Sequence, residues 1–60
     1  MPLGLDRELV LIAEDDIANQ ALLARLLERA GYRSFAVGDG RDALRAAMEE
    51  NPDIVLLDIG

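Results

Sequence analysis

Two short apolar runs that both end on acidic residues constrain this sequence most. The first run, residues 9–13, stops at Glu14, and the second, within residues 53–58, stops at Asp58. Continuous rather than alternating apolar character over so few residues predicts strands that are buried on both faces, as in parallel sheets flanked by helices. The sequence therefore predicts an α/β fold.

A helix is predicted directly after the first strand. Residues 17–30 are mostly strong helix formers with apolar side chains at helical spacing, Asp15 or Asp16 is placed to cap the start, and Gly31 follows the end. The side chains expected in the core are Leu22, Leu23, Leu26, Leu27 and Ala30. The polar side chains expected to be exposed include Asn19 and Gln20.

A second strand and a second helix follow. Residues 32–37 mix aromatic, β-branched and small side chains, and they predict a weaker strand that ends at the glycine-containing turn of residues 38–40. Asp39 is typical of a helix start, and Pro52 prevents this helix from continuing beyond Glu50. Its buried stripe is expected to be Ala43, Leu44, Ala47 and Met48.

The predicted order is β-α-β-α-β in one domain of residues 1–60, with residues 1–7 as a loose lead-in. Strands that alternate with helices imply a parallel sheet with right-handed crossovers. In a sheet of order 2-1-3, the first and third strands are neighbours and end at the same carboxyl edge, where open α/β sheets bind ligands. Glu14 and Asp15 are therefore expected beside Asp58.

Three carboxylates at one edge repel each other, and a cation relieves that repulsion. Oxygen ligands with open positions for water suit Mg²⁺, and a carboxylate beside Mg²⁺ is able to attack a phosphoryl group, giving an aspartyl-phosphate. Taken singly, Glu14 and Asp15 fit a solvated turn before a helix, and Asp58 fits an ordinary strand end. Their spacing and the topology together favour a site.

Three segments combine in a specific way: residues 11–20 (LIAEDDIANQ), residues 38–44 (GDGRDAL) and residues 52–58 (PDIVLLD). Together they resemble the receiver domains of response regulators in two-component signalling, and the Asn19-Gln20 pair is similar to that of receivers attached to hybrid histidine kinases. The resemblance spans nearly the whole chain. It implies the N-terminal half of a flavodoxin-like receiver fold, a three-stranded parallel sheet of order 2-1-3 with flanking helices.

The resemblance also implies a role for each residue of the site. Asp15 would bind Mg²⁺ directly, Glu14 would act mainly through water, Asp58 would be both ligand and phosphoacceptor, and the backbone carbonyl of Gly60 would complete the metal site. A histidine kinase or phosphotransfer protein would supply the phosphoryl group. Receivers carry a Ser/Thr and a Lys on later strands, so we expect this fragment to bind Mg²⁺ weakly or not at all and to be unable to signal alone.

Composition limits the other possible functions. Twelve acidic and six basic residues give a net charge of -6, which disfavours binding to nucleic acid or to an anionic membrane. No apolar run approaches the roughly 20 residues of a membrane span, and the start has no secretory pattern, so a cytoplasmic protein is expected. Without cysteine, so small a core is expected to gain stability by forming a homodimer.

Two other functions compete with the receiver. The first is a self-associating structural half-domain without phosphoryl chemistry, in which the open edge of the third strand pairs with a second copy in a six-stranded sheet. The second is a phosphatase or another enzyme with an aspartate nucleophile. It is disfavoured because such enzymes generally carry a second Asp two residues after the nucleophile, where this sequence has Gly60. We therefore expect no enzymatic activity.

Overall fold

The protein is described by a computed structural model over residues 7–57. The elements are β1 Leu9–Ala13, α1 Ile17–Arg29, β2 Arg33–Val37, α2 Gly40–Glu50 and β3 Ile54–Leu57. The strands form one parallel sheet in the order β2-β1-β3, which confirms the predicted fold class and strand order. Of the lead-in expected over residues 1–7, only Arg7 lies within the described part, and its carbonyl accepts a hydrogen bond from Nε of Arg33 at 2.9 Å.

The central strand β1 is buried on both faces, as its continuous apolar character predicted. Val10, Leu11 and Ile12 are at most 1% exposed. Leu11 and Ala13 pack against Ala43 of α2. Because side chains alternate along a strand, Val10 and Ile12 face the opposite side of the sheet, where α1 lies. Both layers of the core therefore meet at β1.

Acidic residues cap the starts of both helices. Oδ1 of Asp16 accepts a hydrogen bond from the backbone N–H of Asn19 at 3.1 Å, and Oδ1 of Asp39 accepts one from the N–H of Asp42 at 2.8 Å. Each bond satisfies a backbone donor that has no partner inside the helix. Both starts lie where the sequence predicted them. Of the two caps that the sequence allowed for α1, Asp16 is the one observed.

A Schellman motif ends α1. Gly31 adopts a φ of 96°, and its N–H donates to the carbonyl of Glu28 at 3.0 Å, while the N–H of Tyr32 donates to the carbonyl of Leu27 at 2.9 Å. Glycine takes this left-handed conformation without strain. Ala30 becomes the exposed C-cap and Tyr32 joins the motif, so the helix and the next strand are each one residue shorter than predicted.

The prediction that all four leucines of α1 are buried was partly wrong. Leu23 and Leu27 are half-buried, whereas Leu22 and Leu26 are 55% and 54% exposed. The helix packs mainly against β2 and only lightly against β1. One helix covers little more than two strands, so the flank of α1 with Leu22 and Leu26 stays open.

The buried stripe of α2 also differs from the prediction. Ala43 is buried and Ala46 and Ala47 are partly buried against the sheet, but Leu44 and Met48 are 66% and 74% exposed. Small alanines let the helix lie close to β1 and β2. Leu44 and Met48 follow Ala43 and Ala47 by one residue, about 100° further round the helix, and point away from the sheet.

Among residues 7–57, β3 pairs with β1 on one side and with no strand on the other. The exposed fractions of its four apolar side chains run from 37% for Ile54 and Leu56 to 65% for Leu57. The strand begins at Ile54 rather than at residue 53, and the predicted last residue, Asp58, lies outside the described residues. Within the described part of the chain, this third strand therefore has one unpaired edge and exposed apolar side chains.

Candidate functional site

The strands β1 and β3 end opposite each other at the carboxyl edge of the sheet. The last pair in register joins Ala13 to Leu57. Glu14 and Asp58 are the next residues after this pair in the sequence. Asp58 and Gly60 lie outside the described residues, so the roles predicted for them stay predictions.

Glu14 is held inside the protein although it carries a carboxylate. It is only 4% exposed, and its backbone N–H donates to the carbonyl of Val37 at 3.0 Å, which extends the pairing of β1 with β2 by one residue. Its Oε1 accepts a hydrogen bond from the N–H of Asp16 at 2.9 Å. The side chain thus holds the acidic loop, which we define as residues 14–16.

Asp15 differs from both of its neighbours. It is exposed, and within residues 7–57 its carboxylate takes part in no hydrogen bond or ion pair. Asp16 is occupied as the cap of α1, one of the two caps that the sequence allowed. The oxygens of Asp15 therefore face solvent on a loop whose flanking residues are held in place.

Gln20 is a residue that sequence reasoning misjudged. It was expected to be an exposed polar residue of the helix, but it is half-buried, and its Nε2 donates to the backbone carbonyl of Glu14 at 2.6 Å. The signal for this position was present in the sequence. Gln20 precedes Leu23 by three residues and Leu27 by seven, which places it on the inner side of the helix.

An apolar groove opens beside the acidic loop, between α1 and β3. Its volume is about 360 Å³, and its lining residues are Ile12, Ala13, Glu14, Asn19, Leu22, Leu23, Leu56 and Leu57. A surface of this composition suits apolar side chains rather than an ion. We call it the α1–β3 groove.

The described residues supply part of the predicted metal site. No group of three or more acidic side chains that could hold a metal occurs within residues 7–57, and the members of the predicted set found there are Glu14 and Asp15. An exposed carboxylate with open space for water fits Mg²⁺, which keeps several waters when it binds protein. Asp15 fits this requirement, whereas Glu14 is 4% exposed and its Oε1 already accepts a hydrogen bond from the N–H of Asp16, so the water-mediated role predicted for Glu14 stays a prediction.

No helix within residues 7–57 is long and apolar enough to cross a membrane.

The protein is a parallel α/β sheet whose central strand ends in an acidic loop, and open α/β sheets in general bind ligands at their carboxyl edge. Comparison with known families is more specific, because the model of the response regulator receiver domain matches residues 10–60. The chain belongs to this family of two-component signalling proteins. The resemblance inferred from its motifs is confirmed.

Two curated relatives illustrate the similarity. The DNA-binding response regulator MtrA of Mycolicibacterium paratuberculosis is 38% identical over 53 residues, which cover 88% of this chain and 24% of the relative. The polar-differentiation response regulator DivK of Brucella ovis is 40% identical over 50 residues, which cover 83% of this chain and 41% of the relative. The matched part of the chain thus spans less than half the length of either relative. No solved structure matches it.

Proposed function

We propose that this chain is the phosphoacceptor part of a receiver in a two-component phosphorelay and that Asp58 takes a phosphoryl group from a histidine kinase or a phosphotransfer protein. The observation that supports the proposal is that β1 and β3 end opposite each other, where Ala13 pairs with Leu57. Glu14 and Asp58 come next in the sequence, so acidic residues follow both strands at one edge.

The proposed reaction moves one phosphoryl group between two side chains. A carboxylate oxygen of Asp58 forms a bond to phosphorus as the P–N bond of a phosphohistidine breaks, and the electron pair returns to the imidazole nitrogen. Asp15, Glu14 through water, Asp58 and the carbonyl of Gly60 would hold Mg²⁺. When bound, Mg²⁺ neutralises charge on the phosphoryl oxygens. The acidic loop contributes by keeping Asp15 at the carboxyl edge.

Substitution of the acceptor tests the proposal directly. In the full-length protein that carries this sequence, we expect Asp58→Asn to abolish incorporation of a phosphoryl group from acetyl phosphate, because an amide oxygen is too weak a nucleophile. Intact-protein mass spectrometry would measure the added mass. Asp42→Asn is the matched control, since Asp42 is an exposed acid in the first turn of α2 and should leave incorporation unchanged. Stoichiometric phosphorylation of Asp58→Asn would contradict the proposal.

Partners other than signalling proteins are disfavoured by charge. MtrA is named as DNA-binding, but this chain spans only 24% of it. A net charge of -6 opposes contact with nucleic acid phosphates and with anionic lipid headgroups. We therefore propose that this part of the protein contacts neither.

A second candidate function is self-association without phosphoryl chemistry. It is favoured by the open edge of β3, on which Val55 is 43% exposed and Leu57 is 65% exposed. Exposed apolar edges readily pair with a strand of another chain. In this alternative, two copies would join β3 to β3 in a six-stranded sheet, which would also cover part of the α1–β3 groove.

A further inference from the structure

Gln20 makes two hydrogen bonds to the acidic loop. Its backbone N–H donates to the carbonyl of Asp16 at 2.9 Å, and its side-chain Nε2 donates to the carbonyl of Glu14 at 2.6 Å. One residue of α1 therefore binds the carbonyls on either side of Asp15. The first of these bonds belongs to any helix that begins here, whereas the second requires this side chain.

The Glu14 carbonyl needs a donor from outside the sheet. In a parallel sheet, a central strand directs alternate residues to its two neighbours, and the N–H and carbonyl of one residue point to the same neighbour. The N–H of Glu14 bonds Val37, so its carbonyl also points toward β2. Because β2 ends at Val37, its ladder does not continue, and Gln20 donates instead.

The bond to Gln20 also determines how Asp15 leaves the strand. The carbonyl of Glu14 and the N–H of Asp15 belong to one planar peptide unit. A bond that holds the carbonyl therefore sets the orientation of the whole unit, including the Cα of Asp15. On the other side of Asp15, the N–H of Asp16 is held by Oε1 of Glu14 at 2.9 Å. Asp15 is thus an exposed residue on a backbone that is fixed at both ends.

We propose that Gln20 is a positioning residue for metal binding: its side-chain bond to the Glu14 carbonyl directs the Asp15 carboxylate toward the cation. This inference rests on the proposed function, since it assumes that Asp15 is a metal ligand. Groups that orient the ligands of a metal commonly change its affinity when they are removed, without touching the metal themselves.

Gln20→Met tests the inference because methionine keeps the length of the side chain and removes its N–H donors. Asn19→Leu is the matched control, since it replaces the neighbouring amide of the same helix turn, and Asn19 bonds the loop through its backbone alone. Mn²⁺ alone is the probe, with the unbound ion measured by electron paramagnetic resonance on the full-length protein that carries this sequence. We expect Gln20→Met to lower the Mn²⁺ affinity roughly tenfold and Asn19→Leu to leave it within about twofold.

The same samples separate a positioning role from a failure to fold. Circular dichroism and urea unfolding should show that Gln20→Met stays folded under the binding conditions. A metal-free NMR measurement adds a direct readout, because the side-chain amide proton of Gln20 that donates to the Glu14 carbonyl should exchange slowly with solvent.

The outcomes distinguish the two proposals. If Asp15→Asn removes Mn²⁺ binding but Gln20→Met binds as tightly as the unaltered chain, the positioning role is wrong and the proposed metal site stands. If Asp15→Asn binds Mn²⁺ as tightly as the unaltered chain, the proposed metal site is wrong. Fast exchange of both side-chain amide protons of Gln20 would overturn the positioning role by itself.

Discussion

Asp53 joins β3 to β1 just before the strand begins. Its N–H donates to the carbonyl of Leu9 at 2.8 Å, and its Oδ2 accepts a hydrogen bond from the N–H of Leu9, also at 2.8 Å. Two bonds between the same two residues align the strands so that Val10 lies opposite Ile54. A slip of one residue would turn every side chain of β3 to the other face of the sheet.

Replacing Asp53 should therefore destabilise the fold. We expect Asp53→Ala to lower the free energy of unfolding by about 1 kcal/mol, because the bond from Leu9 to the side chain is lost at an exposed position. Urea unfolding followed by circular dichroism measures the change. Asp53→Asn keeps an acceptor oxygen and should lose clearly less. Equal losses in the two variants would show that the hydrogen bond is not the cause.

At the scale of elements, β3 has an unpaired backbone edge within the described residues. The N–H of Asp53 points to β1, and alternate residues of a parallel strand point to opposite sides. The N–H groups of Ile54 and Leu56 therefore point away from β1, toward the open edge. These N–H groups are therefore available as hydrogen-bond donors to the β3 strand of a second copy.

A proline at this edge distinguishes pairing between β3 strands from non-specific association of apolar side chains. We expect the unaltered chain of 6.5 kDa to reach twice that mass at high concentration in multi-angle light scattering. Leu56→Pro should remain monomeric, because proline removes an N–H that faces the open edge. Leu56→Ala is the control, since it loses the same apolar side chain but keeps the donor, and it should still dimerise. A folded monomer of the unaltered chain at all concentrations would refute the self-association.

At the scale of the whole molecule, the excess of acidic residues couples cation binding to stability. A net charge of -6 destabilises the compact state by self-repulsion, and any cation raises stability by screening this repulsion. A bound Mg²⁺ would add a specific effect, since a ligand that binds only the folded chain raises its free energy of unfolding. Screening and binding are separable at equal ionic strength.

Thermal unfolding in MgCl₂ and in NaCl of equal ionic strength makes this comparison. If Asp15 binds Mg²⁺, we expect a higher midpoint in MgCl₂, with about 1.4 kcal/mol of added stability when the free ion is at ten times its dissociation constant. Asp15→Asn should respond equally to both salts. A midpoint that rises equally in both salts for the unaltered chain as well would argue against a specific site.

Local patterns were sufficient for most of the fold. The five residues of β1 were predicted without error, because a continuous apolar run that ends on acids has few other structures available. The helix starts were also predicted, since Asp16 and Asp39 each accept a hydrogen bond from a backbone N–H only three residues later in the sequence. Errors in the bounds of the elements were of one residue, and the larger errors concerned burial. Leu44 and Met48 have the spacing of a core stripe, but only packing decides which flank of α2 meets the sheet.

The sequence by itself determined the class of fold, the strand order, the acidic loop and the family, because each follows from patterns within short segments and from the chirality of their connections. Only the tertiary structure decided which residue of the acidic loop is buried, which caps the helix and which is exposed. Glu14 is buried and holds the loop, Asp16 caps the helix, and Asp15 is left exposed. The hydrogen bond from Gln20 also depends on the tertiary structure, because β2 ends at Val37 and leaves the Glu14 carbonyl to a donor from α1.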